Sequence, residues 1–119
     1  MIERHNIRRG KMNLEIAKIV GEESSVLSLR GEVDVYTAPK LKEELHALVG
    51  IKNHEVIIDL ANVHYMDSTG LGILIGGLKA SKANEGRFLV RNVTKRLERL
   101  FSITGFSEVV EICQGEESR

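Results

Sequence analysis

Residues 55–60, EVIIDL, are a short run with apolar residues at its centre, and an amphipathic helical pattern lies on each side of it. A run of this length and character reads as a buried strand. A strand held between two helices belongs in a sheet that helices cover, with strand-helix-strand connections running parallel and right-handed. The upstream helix is TAPKLKEELHALVG, with Leu41, Leu45, Leu48 and Val49 at i, i+4, i+7 and i+8. Thr37 is placed to cap it, Pro39 suits its first turn and Gly50 ends it. The downstream helix carries Leu71, Leu74, Ile75 and Leu78 at i, i+3, i+4 and i+7 and fades at ANEG.

The remaining runs extend this pattern. NLEIAKIV and SVLSLRG read as a hairpin across GEES, RFLVRNV as a further strand, and TKRLERLFSITG as a short helix with Leu97, Leu100 and Phe101 inward. FSEVVEIC closes the domain as strand, short helix or both. The expected fold class is therefore α/β, a small mixed sheet of about four to five strands in the order β-β-α-β-α-β-α, covered by amphipathic helices. The domain is expected over residues 12–113. Residues 1–11, polar and basic without period, are expected to be a disordered arm, and residues 114–119 a frayed tail.

Charge and composition narrow the function. Seventeen Lys and Arg balance seventeen Asp and Glu, which gives no reason to expect nucleic acid or an anionic membrane as partner. No apolar run is long enough to span a bilayer and the N-terminus lacks an apolar signal region, so a cytoplasmic location is expected. The single cysteine, Cys113, excludes an internal disulfide framework.

Two stretches carry candidate chemistry. In YMDSTGLGILIGG, residues 65–77, Ser68 stands where a helix N-cap belongs, and Thr69 could share that role. Glycine costs about 1 kcal/mol in a helix interior relative to alanine, yet Gly70, Gly72, Gly76 and Gly77 all fall here. Gly72, Gly76 and Lys79 share a stripe beside the apolar one, with Ser68 at the boundary between them. The stripe suits either close packing on the sheet or a docking face around an exposed hydroxyl. In RGEVDVYTAP, residues 30–39, Glu32 and Asp34 lie between a strand end and the next helix. They suit acid–base work, a solvated turn, or contact with a basic partner.

An enzyme is the rival reading. MDSTG is not the G-x-S-x-G elbow, and the histidines offered as a base (His46, His54 and His64) sit in polar or loop contexts. Metal-ligand spacing and a phosphate-binding glycine loop are both missing, so neither metal nor cofactor is expected. A small hydrolase acting through Ser68 would lack its base.

Taken together, GEVDVYTAPKLKEEL, VIIDLANVHYMDSTGLGILIGGLK and RLERLFSITGF resemble the bacterial anti-sigma factor antagonists, the single-domain STAS proteins of the stress-response and sporulation type. The similarity spans roughly residues 12–113, nearly the whole domain. It implies phosphorylation on the hydroxyl after the motif aspartate, which is Ser68 here. It implies an anti-sigma factor serine kinase and a PP2C-type phosphatase as partners, and a partner-binding loop at Gly31, Glu32, Val33, Asp34 and Tyr36. Asp67, Thr69, Gly70, Gly72 and Gly76 complete the expected docking surface. The alternative within the same fold is a subunit of a larger signalling or transport assembly.

Overall fold

The computed structural model describes residues 2–9 and 12–114, with the backbone alone described before Leu14. Among the described residues six strands form one sheet in sequence order: β1 (Ile2–Arg9), β2 (Met12–Val20), β3 (Ser24–Val33), β4 (Glu55–Met66), β5 (Arg87–Arg91) and β6 (Glu111–Cys113). The helices are α1 (Ala38–Val49), α2 (Ser68–Ala83) and α3 (Lys95–Thr104), followed by a 3-10 turn at Phe106–Glu108. The expected order β-β-α-β-α-β-α runs from β2 to α3. The closing segment is both a short helical turn and a strand.

The hairpin β2–β3 is antiparallel, whereas β3, β4, β5 and β6 pair in parallel. This arrangement positions everything that follows. Parallel strands end on the same side, so the connections leaving β3, β4 and β5 emerge at one rim, and each leads into the start of a helix.

Three expectations are corrected. Ile2–Arg9, part of the expected arm, runs antiparallel along β2, where the open strand edge offers its backbone groups a ladder that local composition does not reveal. Gln114, expected to fray, bonds Val93 through both ends of its amide, at 2.8 Å to the backbone nitrogen and 3.2 Å to the oxygen. The rest of the expected tail lies outside the described residues, as do Met1, Gly10 and Lys11. Finally, the strand expected over EVIIDL runs on through ANVHY to Met66. The register between β3 and β4 slips by one residue after Ser28 and again after Gly31, each time with the extra residue in β4. These bulges break the two-residue alternation: buried positions fall at Leu60, Val63 and Met66, so His64 and Tyr65 both face outward.

One apolar core joins sheet and helices, with Leu14, Leu27, Ile58, Leu41, Leu74 and Phe101 among its most buried members. Polar ties join separate elements. Glu44, buried on α1, takes Lys18 at 2.7 Å from β2 and Lys40 at 3.3 Å. Arg87 joins Glu55 and Glu111 across three strands, and that hydrogen bond draws the Glu111 carboxyl below its usual range. No helix among the described residues is long and apolar enough to cross a membrane.

Gly76 and Gly77 separate the two roles offered for the glycines. A Cβ at Gly76 meets nothing within 4 Å, whereas one at Gly77 would lie 2.7 Å from Leu45 and 3.1 Å from Phe88, both buried. Gly76→Ala is expected to stabilise the fold by up to ~1 kcal/mol through helix propensity. Gly77→Ala is expected to destabilise it by about 1–3 kcal/mol through overpacking. Urea unfolding of both variants checks the opposed signs.

Candidate functional site

Val33 and Met66 are register partners at the ends of β3 and β4, so the loop after each strand starts from the same point of the rim. Two contacts lock the loops together. The Asp67 N–H donates to the Val33 carbonyl at 3.1 Å. Gly70 presses on the same residue: a Cβ there would stand 2.6 Å from Val33 Cγ1 and 2.9 Å from its carbonyl oxygen. The glycine is needed for that approach.

The start of α2 departs from expectation in one informative way. Asp67, not Ser68, is the N-cap: its backbone is extended and its Oδ1 accepts from the Gly70 N–H at 3.0 Å. Ser68 is the first residue of the helix and is exposed, as is Thr69. The capping work that would have explained the serine is done by its neighbour. Aspartate is as good a cap as serine, so sequence alone does not separate them.

The other loop is built around Asp34 and Thr37. Asp34 Oδ1 accepts from the backbone N–H groups of Tyr36 at 2.9 Å and Thr37 at 3.1 Å. The Thr37 hydroxyl donates to the Glu32 carbonyl at 2.9 Å and accepts from the Asp34 N–H at 3.0 Å. The loop thus folds on its own side chains, as Asx and ST turns do. Thr37 spends its hydroxyl here and makes no side-chain cap to α1.

This corrects the reading of Asp34 as a solvated turn acid, since it is only 4% exposed. Its turn holds Tyr36 outward, 59% exposed. A groove then opens between the loops, lined by Glu32, Asp34, Tyr36, Tyr65, Asp67 and Arg96 among others. Glu32 Oε1 and Asp34 Oδ2 are buried there and accept no hydrogen bond among the described residues. Tyr65, His64 and Arg96 were not picked out as site residues from the sequence. The bulges that aim the first two outward leave no periodic signal, and Arg96 comes from a third loop-helix junction.

Beyond Ser68, α2 presents Gly72 and Gly76 on its exposed face, and a Cβ at either meets nothing within 4 Å. Close packing within this chain does not require these two glycines. Gly70 and Gly77 are the ones that packing demands.

His54 offers no base to Ser68. His54, expected on the surface, is buried at 2% exposure with its Nε2 2.8 Å from the Ser25 hydroxyl. It precedes β4, whereas Ser68 follows it, so the two lie at opposite ends of the sheet. No cluster of His, Cys, Asp and Glu suited to a metal ion occurs among the described residues.

Comparison with known proteins agrees with this architecture. The STAS domain family model matches residues 13–118. The anti-sigma-B factor antagonist of Staphylococcus epidermidis is 42% identical over 106 residues, covering 89% of this chain and 98% of the relative. That of Staphylococcus aureus strain NCTC 8325 is 38% identical over the same coverage. The crystal structure of an anti-sigma factor antagonist from Mycobacterium paratuberculosis superposes with a TM-score of 0.78 at 26% identity, covering 88% of this chain and 89% of the other.

The division of labour at the start of α2 has a measurable consequence. Asp67→Ala is expected to destabilise the fold by about 0.5–2 kcal/mol, the cost of a lost cap. Ser68→Ala is expected to stay within about 0.5 kcal/mol of the parent, as for an exposed position outside any special contact. Thermal unfolding of the two variants tests the assignment, and a larger loss for Ser68→Ala would return the cap to the serine.

Proposed function

The chain belongs to the STAS domain family, and on that premise we propose that it is a cytoplasmic anti-sigma factor antagonist controlled by phosphorylation of Ser68. Its unmodified form binds an anti-sigma factor serine kinase and so frees the sigma factor. The kinase transfers the γ-phosphoryl group of ATP to Ser68 Oγ; ADP leaves, and the hydroxyl proton passes to a base of the kinase. A PP2C-type phosphatase then cleaves the phosphoester with water and restores the hydroxyl. The chain is substrate and binding module in this cycle and performs no catalysis of its own.

One observation carries the assignment. Ser68 is exposed at a helix start whose cap is supplied by Asp67, so its hydroxyl can enter another protein's active site without undoing the fold. The surroundings support the same reading. Gly72 and Gly76 leave the adjacent face of α2 open to close approach, and Tyr36 and Tyr65 stand out from the neighbouring rim, the type of residue that anchors interfaces.

The switch follows from charge. A phosphoserine brings about −1.5 to −2 charges at pH 7. A helix N-terminus accommodates an anion, so the domain stays folded. A partner that seals this surface must desolvate the new charge beside Asp67, Glu32 and Asp34. Leaving a buried charge uncompensated costs about 3–5 kcal/mol, and each 1.4 kcal/mol is about tenfold in affinity.

Incubation with ATP and the anti-sigma factor kinase, followed by mass spectrometry, is expected to place one phosphate on Ser68. Ser68→Ala should bind the kinase and accept no phosphate. Ser68→Glu should bind more weakly with an unchanged circular dichroism spectrum. Phosphate on Thr69, or equal affinity of the phosphorylated and unmodified proteins, would overturn the proposal.

A further inference from the structure

The helix α3 has two unlike faces. Leu97 and Phe101 are buried, Phe101 meeting Phe106 edge to face with ring centroids 5.0 Å apart. On the outward side Ile103 is 78% exposed, the most exposed large apolar residue described. A lone exposed isoleucine means little. This one closes a groove whose other wall is the end of β4, lined by Tyr65, Met66, Arg96, Arg99, Leu100 and Ile103. Arg96 and Arg99 are both exposed, and neither forms an ion pair among the described residues. Glu98, the acid between them in sequence, is approached instead by the Gln114 amide at 3.2 Å. The groove is therefore apolar along its floor and basic along its edge.

The groove is also continuous with the phosphoacceptor. Met66 on its wall is followed directly by Asp67 and Ser68, and Arg96 borders both this groove and the acidic one between the loops. A stable complex between folded proteins covers about 800 Å² on each partner, more than an exposed serine provides. A kinase holding Ser68 has to rest on neighbouring surface, and this groove begins beside the acceptor.

We propose that the outward face of α3 is a second docking surface for the anti-sigma factor kinase, receiving an acidic segment that carries an apolar side chain. The apolar side chain fills the space between Tyr65 and Ile103, and one or more carboxylates meet Arg96 and Arg99. Charge sets the placement: Glu32, Asp34 and Asp67 repel an acidic segment from the rim, while the two guanidinium groups attract it to α3. Opposed charges in adjacent grooves fix register as well as affinity. This surface lies outside the phosphorylation loop, so it acts on complex formation and not on phosphoryl transfer itself. The proposal rests on the functional reading above.

The test compares Ile103→Asp and Arg99→Glu with wild type, each first shown to match its circular dichroism and thermal unfolding. Both substitutions are at exposed positions, so the fold is expected to survive. Kinase affinity should fall about tenfold or more for either variant, as for a residue that matters at an interface. The KM for Ser68 phosphorylation should rise while kcat stays near wild type. For Arg99→Glu the loss should lie mainly in association rate and shrink at high salt, the signature of a rim charge; Arg99→Lys should recover most of it. Wild-type affinity and KM in both variants, with wild type itself bound and phosphorylated, would overturn the α3 surface and leave the functional reading intact. Failure of wild type to bind the kinase or accept phosphate would overturn both.

Discussion

The site depends on one short-range constraint, the junction of β3 and β4 at Val33. Val33 pairs with Met66 in the sheet, accepts the Asp67 N–H, and is packed by Gly70. The loop carrying Asp34 and the helix beginning at Ser68 are thereby fixed to the same residue, next to Glu32 at the end of β3. Displacing either element breaks the Val33–Met66 sheet pair or the Asp67–Val33 hydrogen bond. The candidate surface is thus a rim formed where parallel strands deliver their connections, with both loops tied to one residue. Such ties favour binding to the extent that they reduce the ordering entropy spent when a partner arrives.

Within this rim two aspartates play roles that their sequence positions do not distinguish. Asp67 caps a helix and leaves the next hydroxyl unused; Asp34 builds a turn and becomes buried in doing so. Each organises backbone amides, and each carboxylate lines the groove between the loops. The same residues that shape the surface make it sensitive to a further anion. Substituting Asp34 would therefore disturb loop structure and charge together, whereas Tyr36, displayed by that turn, can be changed without touching the turn's hydrogen bonds.

Much of the fold was legible because its signals are local. Leu41, Leu45, Leu48 and Val49, at helical spacing, are all buried on α1, and Val56, Ile58 and Leu60 alternate inward on β4. The shared rim of the two loops follows from the parallel crossovers that the sequence analysis expected. What stayed hidden depends on pairing across the chain. The outward turn of Tyr65 requires two bulges against β3, the strand at Ile2–Arg9 requires the edge of β2, and the burial of His54 requires Ser25 opposite it. Ser68 and Asp67 are both good caps in isolation, and only the backbone conformation of residue 67 decides between them.

That decision bears on how a single phosphate can control association without refolding the domain. An anion in the first turn of a helix gains about 0.3–1 kcal/mol from the aligned amides, and Ser68 is exposed, so repulsion from the neighbouring carboxylates is weakened by water. In the free protein these effects are small and opposed, so little stability changes. In a sealed interface the screening is gone. The charge must then find a cation or be desolvated at a cost of several kcal/mol; Glu32, Asp34 and Asp67 offer none, and Arg96, which lines the same groove, is committed to the neighbouring surface in the proposed complex. The free state is nearly indifferent to the phosphate and the bound state is not. A ligand or modification shifts an equilibrium only by its differential energy between the two states, and here almost all of that difference falls on binding.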